Sequence, residues 1–104
     1  MKLCGEFKTL GGKLIAVEFV VLDGCLRDVV ITGDFFLYPE EALPLLTAAL
    51  EGSPVGLPAS AYAERVRIVL DKGVELLGSS AEAVGAAVVR ALADAGLAGS
   101  NDVD

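Results

Sequence analysis

Apolar positions in this chain recur first with a period of two and later with the spacing of a helix. Alternation dominates residues 11–36, GGKLIAVEFVVLDGCLRDVVITGDFF. Two β-branched runs, Leu14–Leu22 and 26–32, flank the dipeptide Asp23-Gly24. Asp-Gly supplies the positive φ angles of a type I′ turn, so the pattern predicts a β-hairpin. In its first strand Ile15, Val17, Phe19 and Val21 share one face, with Lys13 in phase at the edge, where its ammonium reaches solvent. The other face, Leu14, Ala16, Glu18, Val20 and Leu22, is less polar than a solvated face, so both are expected to be at least partly covered. In the second strand Leu26 and Val29 are three apart; a bulge at Arg27-Asp28 would return Leu26, Val29 and Ile31 to one side. Residues 2–10, KLCGEFKTL, alternate weakly around Leu3 and Phe7 and make a candidate third strand, reversed into the hairpin at Gly11-Gly12.

Helical spacing begins after Pro39. Proline suits the first helical position, Glu40-Glu41 suit the positive end of the helix dipole, and Leu43, Leu46 and Leu50 form a stripe. Pro44 is incompatible with a helix interior, so the helix either kinks there or takes its regular form from Leu43. Gly52 ends it, and GSPVGLPAS over 52–60 reads as a loop. A second helix is expected over 60–77, capped by Ser60, with Val66, Val69, Leu70, Val74 and Leu77 inward and Gly78 as its stop. A third is expected from cap Ser80, with Glu82 nearby, through Ala83, Val84, Ala87, Val88, Ala91 and Leu92 to Gly96. Its small side chains permit close packing. Strands followed by helices predict an α+β fold: a small antiparallel sheet packed with three helices, in one domain over 1–96 with a frayed tail over 97–104.

Composition narrows the functional classes. At 104 residues, 54% hydrophobic and 22% charged, the chain is of globular type. A net charge of −7 with eight basic residues argues against a nucleic-acid partner, since phosphate binding needs clustered Lys and Arg. The apolar runs are too short to span a bilayer, and Met-Lys-Leu-Cys-Gly leads into polar, glycine-rich sequence, so no membrane association and a cytoplasmic location are expected. Cys4 and Cys25 then read as free thiols. The chain has no histidine, which removes the usual general base and the commonest metal ligand. Neither a phosphate loop nor a metal-ligand spacing is present: Gly11-Gly12-Lys13 is short and leads into a strand, where such loops lead into a helix. No catalytic residue and no metal site are expected.

What chemistry remains lies at the two flanks of the hairpin. Gly11-Gly12 reads as a tight reversal, and Asp34 after Gly33 as a residue that satisfies backbone donors in a turn. Phe35 and Phe36 are core residues by type, but two adjacent aromatics in an extended chain cannot both point inward, which leaves one to face a partner. From the residues alone the chain is an interaction module without an active site of its own.

Residues 11–52, with the GGKL opening, the Asp-Gly hairpin, the strand ending in GDFF, the proline-led PEEAL helix and the closing glycine, resemble the accessory domain of lipoate–protein ligases. In that family the domain is fused to the catalytic domain or forms a separate small subunit; this chain resembles the separate subunit. The resemblance implies a supporting role in a heterodimer. A catalytic large subunit activates lipoate with ATP and Mg to lipoyl-adenylate, then transfers lipoyl to a lysine of an acceptor protein. The small subunit acts as a lid or clamp and binds no cofactor alone. By the same resemblance Gly11, Gly12, Lys13, Gly33, Asp34, Phe35 and Phe36 face the partner or its active site, Lys13 either near ATP phosphates or in an ion pair across the interface. The chain departs from the family pattern at Ala16, where a charged or polar residue is common, and at Pro44. Two other readings compete. One is a sulfur-acceptor or iron–sulfur assembly module using Cys25 beside the hairpin turn; the other is a self-associating module without a ligand.

Overall fold

The computed structural model describes residues 2–9, 11 and 13–97. Gly12, and all of the expected tail but Leu97, lie outside the described residues. Strands β1 (Lys2–Lys8), β2 (Leu14–Leu22) and β3 (Cys25–Gly33) form an antiparallel sheet in the order β1-β2-β3. The candidate third strand is therefore real: Leu3 pairs with Phe19 and Phe7 with Ile15. Leu22 pairs with Cys25 across a two-residue loop in which Asp23 and Gly24 both have positive φ, 55° and 74°, as a type I′ turn demands.

The bulge falls where Phe19 faces both Asp28 and Val29, one position beyond the pair expected, and Asp28 takes φ 56° to make it. Its effect is the one expected, since Leu26, Val29 and Ile31 are all buried. The bulge strips two backbone N–H groups of strand partners. Glu51 takes both: the Asp28 N–H donates to Oε2 at 2.9 Å and the Val29 N–H to Oε1 at 3.1 Å.

Ile15, Val17 and Phe19 point from the sheet into the core. The opposite side chains of β2 (Ala16, Glu18, Val20) are half-buried, shielded by cross-strand neighbours such as Lys2, Cys4 and Thr32. Helix α3 (Ala81–Asp94) lies over β1 and β2, α2 (Ala59–Leu70) beside α3, and α1 (Leu43–Leu50) over β3. The small residues of α3 bring backbone to backbone. A Cβ on Gly5 of β1 would stand 2.0 Å from the Ala87 carbonyl oxygen and 2.6 Å from the Ala91 nitrogen. Ser80 caps α3 as expected, its Oγ accepting from the Ala83 N–H at 3.1 Å. Between α1 and α2 the chain is fixed by buried Tyr62, whose hydroxyl donates to the Pro54 carbonyl at 2.6 Å.

Three expectations need correction. Pro39 does not begin a helix; extended at φ −70°, ψ 153°, it precedes a 3₁₀ turn over Glu40–Ala42. The regular helix starts at Leu43, which leaves Pro44 in the first turn, where no intrahelical hydrogen bond is lost. The second helix starts at Ala59 behind an extended Pro58, with Ser60 already helical, and it ends at Leu70 instead of Leu77. Gly73, at φ 97°, turns the chain out of the helix. Residues Glu75–Leu77 then form β5, paired antiparallel with β4 (Phe36–Tyr38) in a separate two-stranded ribbon. Val74 is buried as expected, but Leu77 is exposed.

Candidate functional site

A two-residue hairpin turn sends equidistant residues to the opposite end of the sheet, and the β1–β2 reversal lies at that same end. Ile15 pairs with Gly33, and the Asp34 N–H donates to the Leu14 carbonyl at 2.7 Å. The strand thus hands its last backbone donor to the start of β2, and Gly33 permits the approach: a Cβ there would lie 2.3 Å from the Leu14 oxygen. The Thr9 N–H donates to the Lys13 carbonyl at 2.7 Å and closes the β1–β2 reversal beside it.

This arrangement gathers five of the seven residues singled out in the sequence. Lys13, Gly33, Asp34, Phe35 and Phe36 line one concavity of about 350 Å³. Gly11 sits in the exposed reversal at φ 89° and does not line it. Of the two aromatics, Phe35 is half-buried against the core and Phe36 is exposed, as alternation requires. Among the described residues no ion pair joins Lys13 to Asp34.

Two further concavities continue the site on either side. The larger, about 630 Å³, is lined by Phe7, Lys8, Thr9, Lys13, Gly78, Ser79 and Ser80. It lies between the end of β1 and the start of α3. The smaller, about 210 Å³, is lined by Phe35, Phe36, Leu37, Glu40 and Leu43. Lys13 is shared by the first two and Phe36 by the last two, so the three form a strip along one end of the molecule. The strip is cationic at the Lys8–Lys13 end and apolar with carboxylates at the Phe36–Glu40 end. Two ammonium groups on one cavity suit a polyanion such as a phosphate chain. The buried Ser79 Oγ in its wall lacks a hydrogen-bond partner. Among the described residues no acidic or thiol cluster with the makings of a metal site occurs.

Nothing in the pattern of residues points to Lys8, Gly78, Ser79 or β5 in this strip. Lys8 is on a strand that the sequence marks by two apolar anchors alone, and residues 78–80 carry only the signals of a helix boundary. The thiols lie elsewhere. Cys4 is exposed on the outer face, its pKa raised by partial desolvation and by the carboxylates of Glu18 and Glu6. Cys25 is half-buried and bridged to Pro54, so the hairpin turn does not present it as a free tip.

With this geometry the chain matches a solved structure from an archaeal lipoylation system, a bi-partite lipoate protein ligase and its E2 lipoyl domain from Thermoplasma acidophilum. The two superpose with a TM-score of 0.66 and 26% sequence identity, over 83% of this chain and 93% of that one. The likeness is to a lipoate–protein ligase system. It agrees with the resemblance carried by the GGKL, GDFF and PEEAL motifs and supports a ligase-related small domain. No family model matches the chain, and no curated relative does. Among the described residues no helix is long and apolar enough to cross a membrane.

Proposed function

We propose that this chain is the accessory subunit of a two-component lipoate–protein ligase, supporting ATP-dependent formation of lipoyl-adenylate by a catalytic subunit before lipoyl passes to a lysine of an acceptor protein. The observation that carries the proposal is the likeness to the Thermoplasma bi-partite ligase system across 93% of the matched chain. The motifs favour the ligase component of such a system over its acceptor domain, since GGKL, GDFF and PEEAL resemble the ligase accessory domain.

In this reading the strip at the open end of the sheet faces the catalytic subunit. Lys8 and Lys13 bring positive charge to a site where the nucleotide's phosphates gather, and closure of the rigid sheet-and-helix body over that site excludes water. ATP supplies the adenylyl group, and this reading assigns Mg to the catalytic subunit; among the described residues no cluster of carboxylates offers it a site.

The test is a lipoylation assay with labelled lipoate, ATP, Mg, the catalytic subunit and an acceptor domain, with and without this chain. Label reaches the acceptor only when this chain is present, and none stays covalently on the chain. Label on one of its own lysines would instead make it an acceptor. Persulfide on Cys25 in place of any lipoyl activity would favour the sulfur-acceptor reading.

A further inference from the structure

Three large apolar side chains stand exposed side by side on the β4–β5 ribbon. Phe36 is 77% exposed, Tyr38 68% and Leu77 53%, and Phe36 pairs directly with Leu77. The alternate residues Leu37 and Leu76 pack inward, so the ribbon is two-faced, with one apolar face in the core and one turned outward. Leu22, Leu45 and Ile68 are also exposed, but on β2, α1 and α2 respectively. Single residues of that kind are ordinary on a protein surface; a contiguous trio with two aromatics marks an interaction site.

The charge around the trio says what would cover it. Glu75 pairs with Tyr38 across the ribbon, Glu40 lines the 210 Å³ concavity on one side of Phe36, and Asp34 lines the 350 Å³ concavity on the other. Among the described residues Lys13, in that second concavity, is the one cation lining either. A second copy of this chain is disfavoured, because a two-fold contact would set this acidic rim against itself in a chain of net charge −7.

We propose that the outer face of the β4–β5 ribbon is the surface by which this chain docks on its catalytic partner, and that the partner meets it with an apolar socket rimmed by Lys and Arg. The inference rests on the accessory-subunit reading and adds to it Tyr38, Glu75 and Leu77. Phe36 is the central anchor, with a concavity on either side to receive partner side chains. Glu40, Glu75 and Asp34 steer and register the encounter.

Calorimetric titration of the full chain into the purified catalytic subunit of the two-component ligase from the same organism tests this. Phe36→Ala and Tyr38→Ala should each weaken binding by roughly 30-fold, the scale of a hot-spot residue, while both variants melt close to wild type. Glu75→Lys should slow association and flatten the salt dependence of binding. Ile68→Ala, on the outer side of α2, should bind as wild type. Wild-type binding that survives both aromatic substitutions would overturn the docking surface and leave the accessory reading standing. No wild-type binding at all would overturn that reading, and the surface with it. A homodimer in sedimentation that Phe36→Ala dissolves would also overturn it, in favour of a second copy.

Discussion

Gly5→Ala tests whether the contact between β1 and α3 sets the shape of the site. The added Cβ would lie 2.0 Å from the Ala87 carbonyl oxygen and 2.6 Å from the Ala91 nitrogen, both backbone atoms of α3. No rotamer change relieves such a clash, so strand and helix must separate by about 1 Å to reach the closest separation carbon and oxygen tolerate. Separation loosens the layer between the sheet and Ala83, Ala87 and Ala91. Overpacking of a core costs about 1–3 kcal/mol where side chains can yield, and a backbone clash belongs at the upper end, about 3 kcal/mol. In a domain of this size each kcal/mol lowers Tm by about 4–8 °C, so a fall of roughly 12–24 °C is expected. The assay is thermal unfolding by circular dichroism, with urea titration to check that the slope is unchanged. Because the 630 Å³ cavity lies between the end of β1 and the start of α3, partner support should be lost below the melting point too. A Tm within about 4 °C of wild type would refute the reasoning.

Other outcomes follow from single side chains. Lys13→Ala, an exposed change, should cost no more than about 0.5 kcal/mol of stability yet lower lipoyl-adenylate formation by the assembled complex by about tenfold; normal rate and normal affinity together would reduce the glycine-lysine reversal to a turn. Glu51→Ala returns the Asp28 and Val29 N–H groups to water and should cost about 1–2 kcal/mol, read from the urea midpoint. An unchanged midpoint would mean that the bulge stands without its carboxylate. Cys4→Ser with Cys25→Ser should leave partner support intact, and its loss would favour the sulfur-acceptor reading.

The hairpin could be read because Asp23-Gly24 is a local signal that nothing distant overrides, and α3 because Ser80, the small-residue stripe and Gly96 all agree. The end of α2 could not. Val66, Val69, Leu70, Val74 and Leu77 hold helical spacing straight through Asp71-Lys72-Gly73, so periodicity argued against a stop that the positive φ of Gly73 enforces. β4 and β5 are three residues each, too short to show a period, and each exists because the other pairs with it. Pro44 was resolved by one of two alternatives already open, a helix beginning at Leu43. Of the site, the Lys13–Phe36 group could be placed because strand pairing from the turn fixes what lies at the far end. Lys8 and the 78–80 segment could not, since only the docking of α3 on β1 brings them there. Alternation required that one of Phe35 and Phe36 face outward but not which; that it is Phe36, and that Tyr38 and Leu77 stand beside it, needed the β4–β5 ribbon.

The measurement that bears most directly on the central claim is lipoate-dependent exchange of pyrophosphate into ATP by the catalytic subunit, with this chain added from none to saturation. The accessory-subunit account predicts no exchange by this chain alone, little by the catalytic subunit alone, and a saturable rise to full rate at equimolar chain. Full exchange by the catalytic subunit without this chain, or exchange by this chain with contamination excluded, would contradict it.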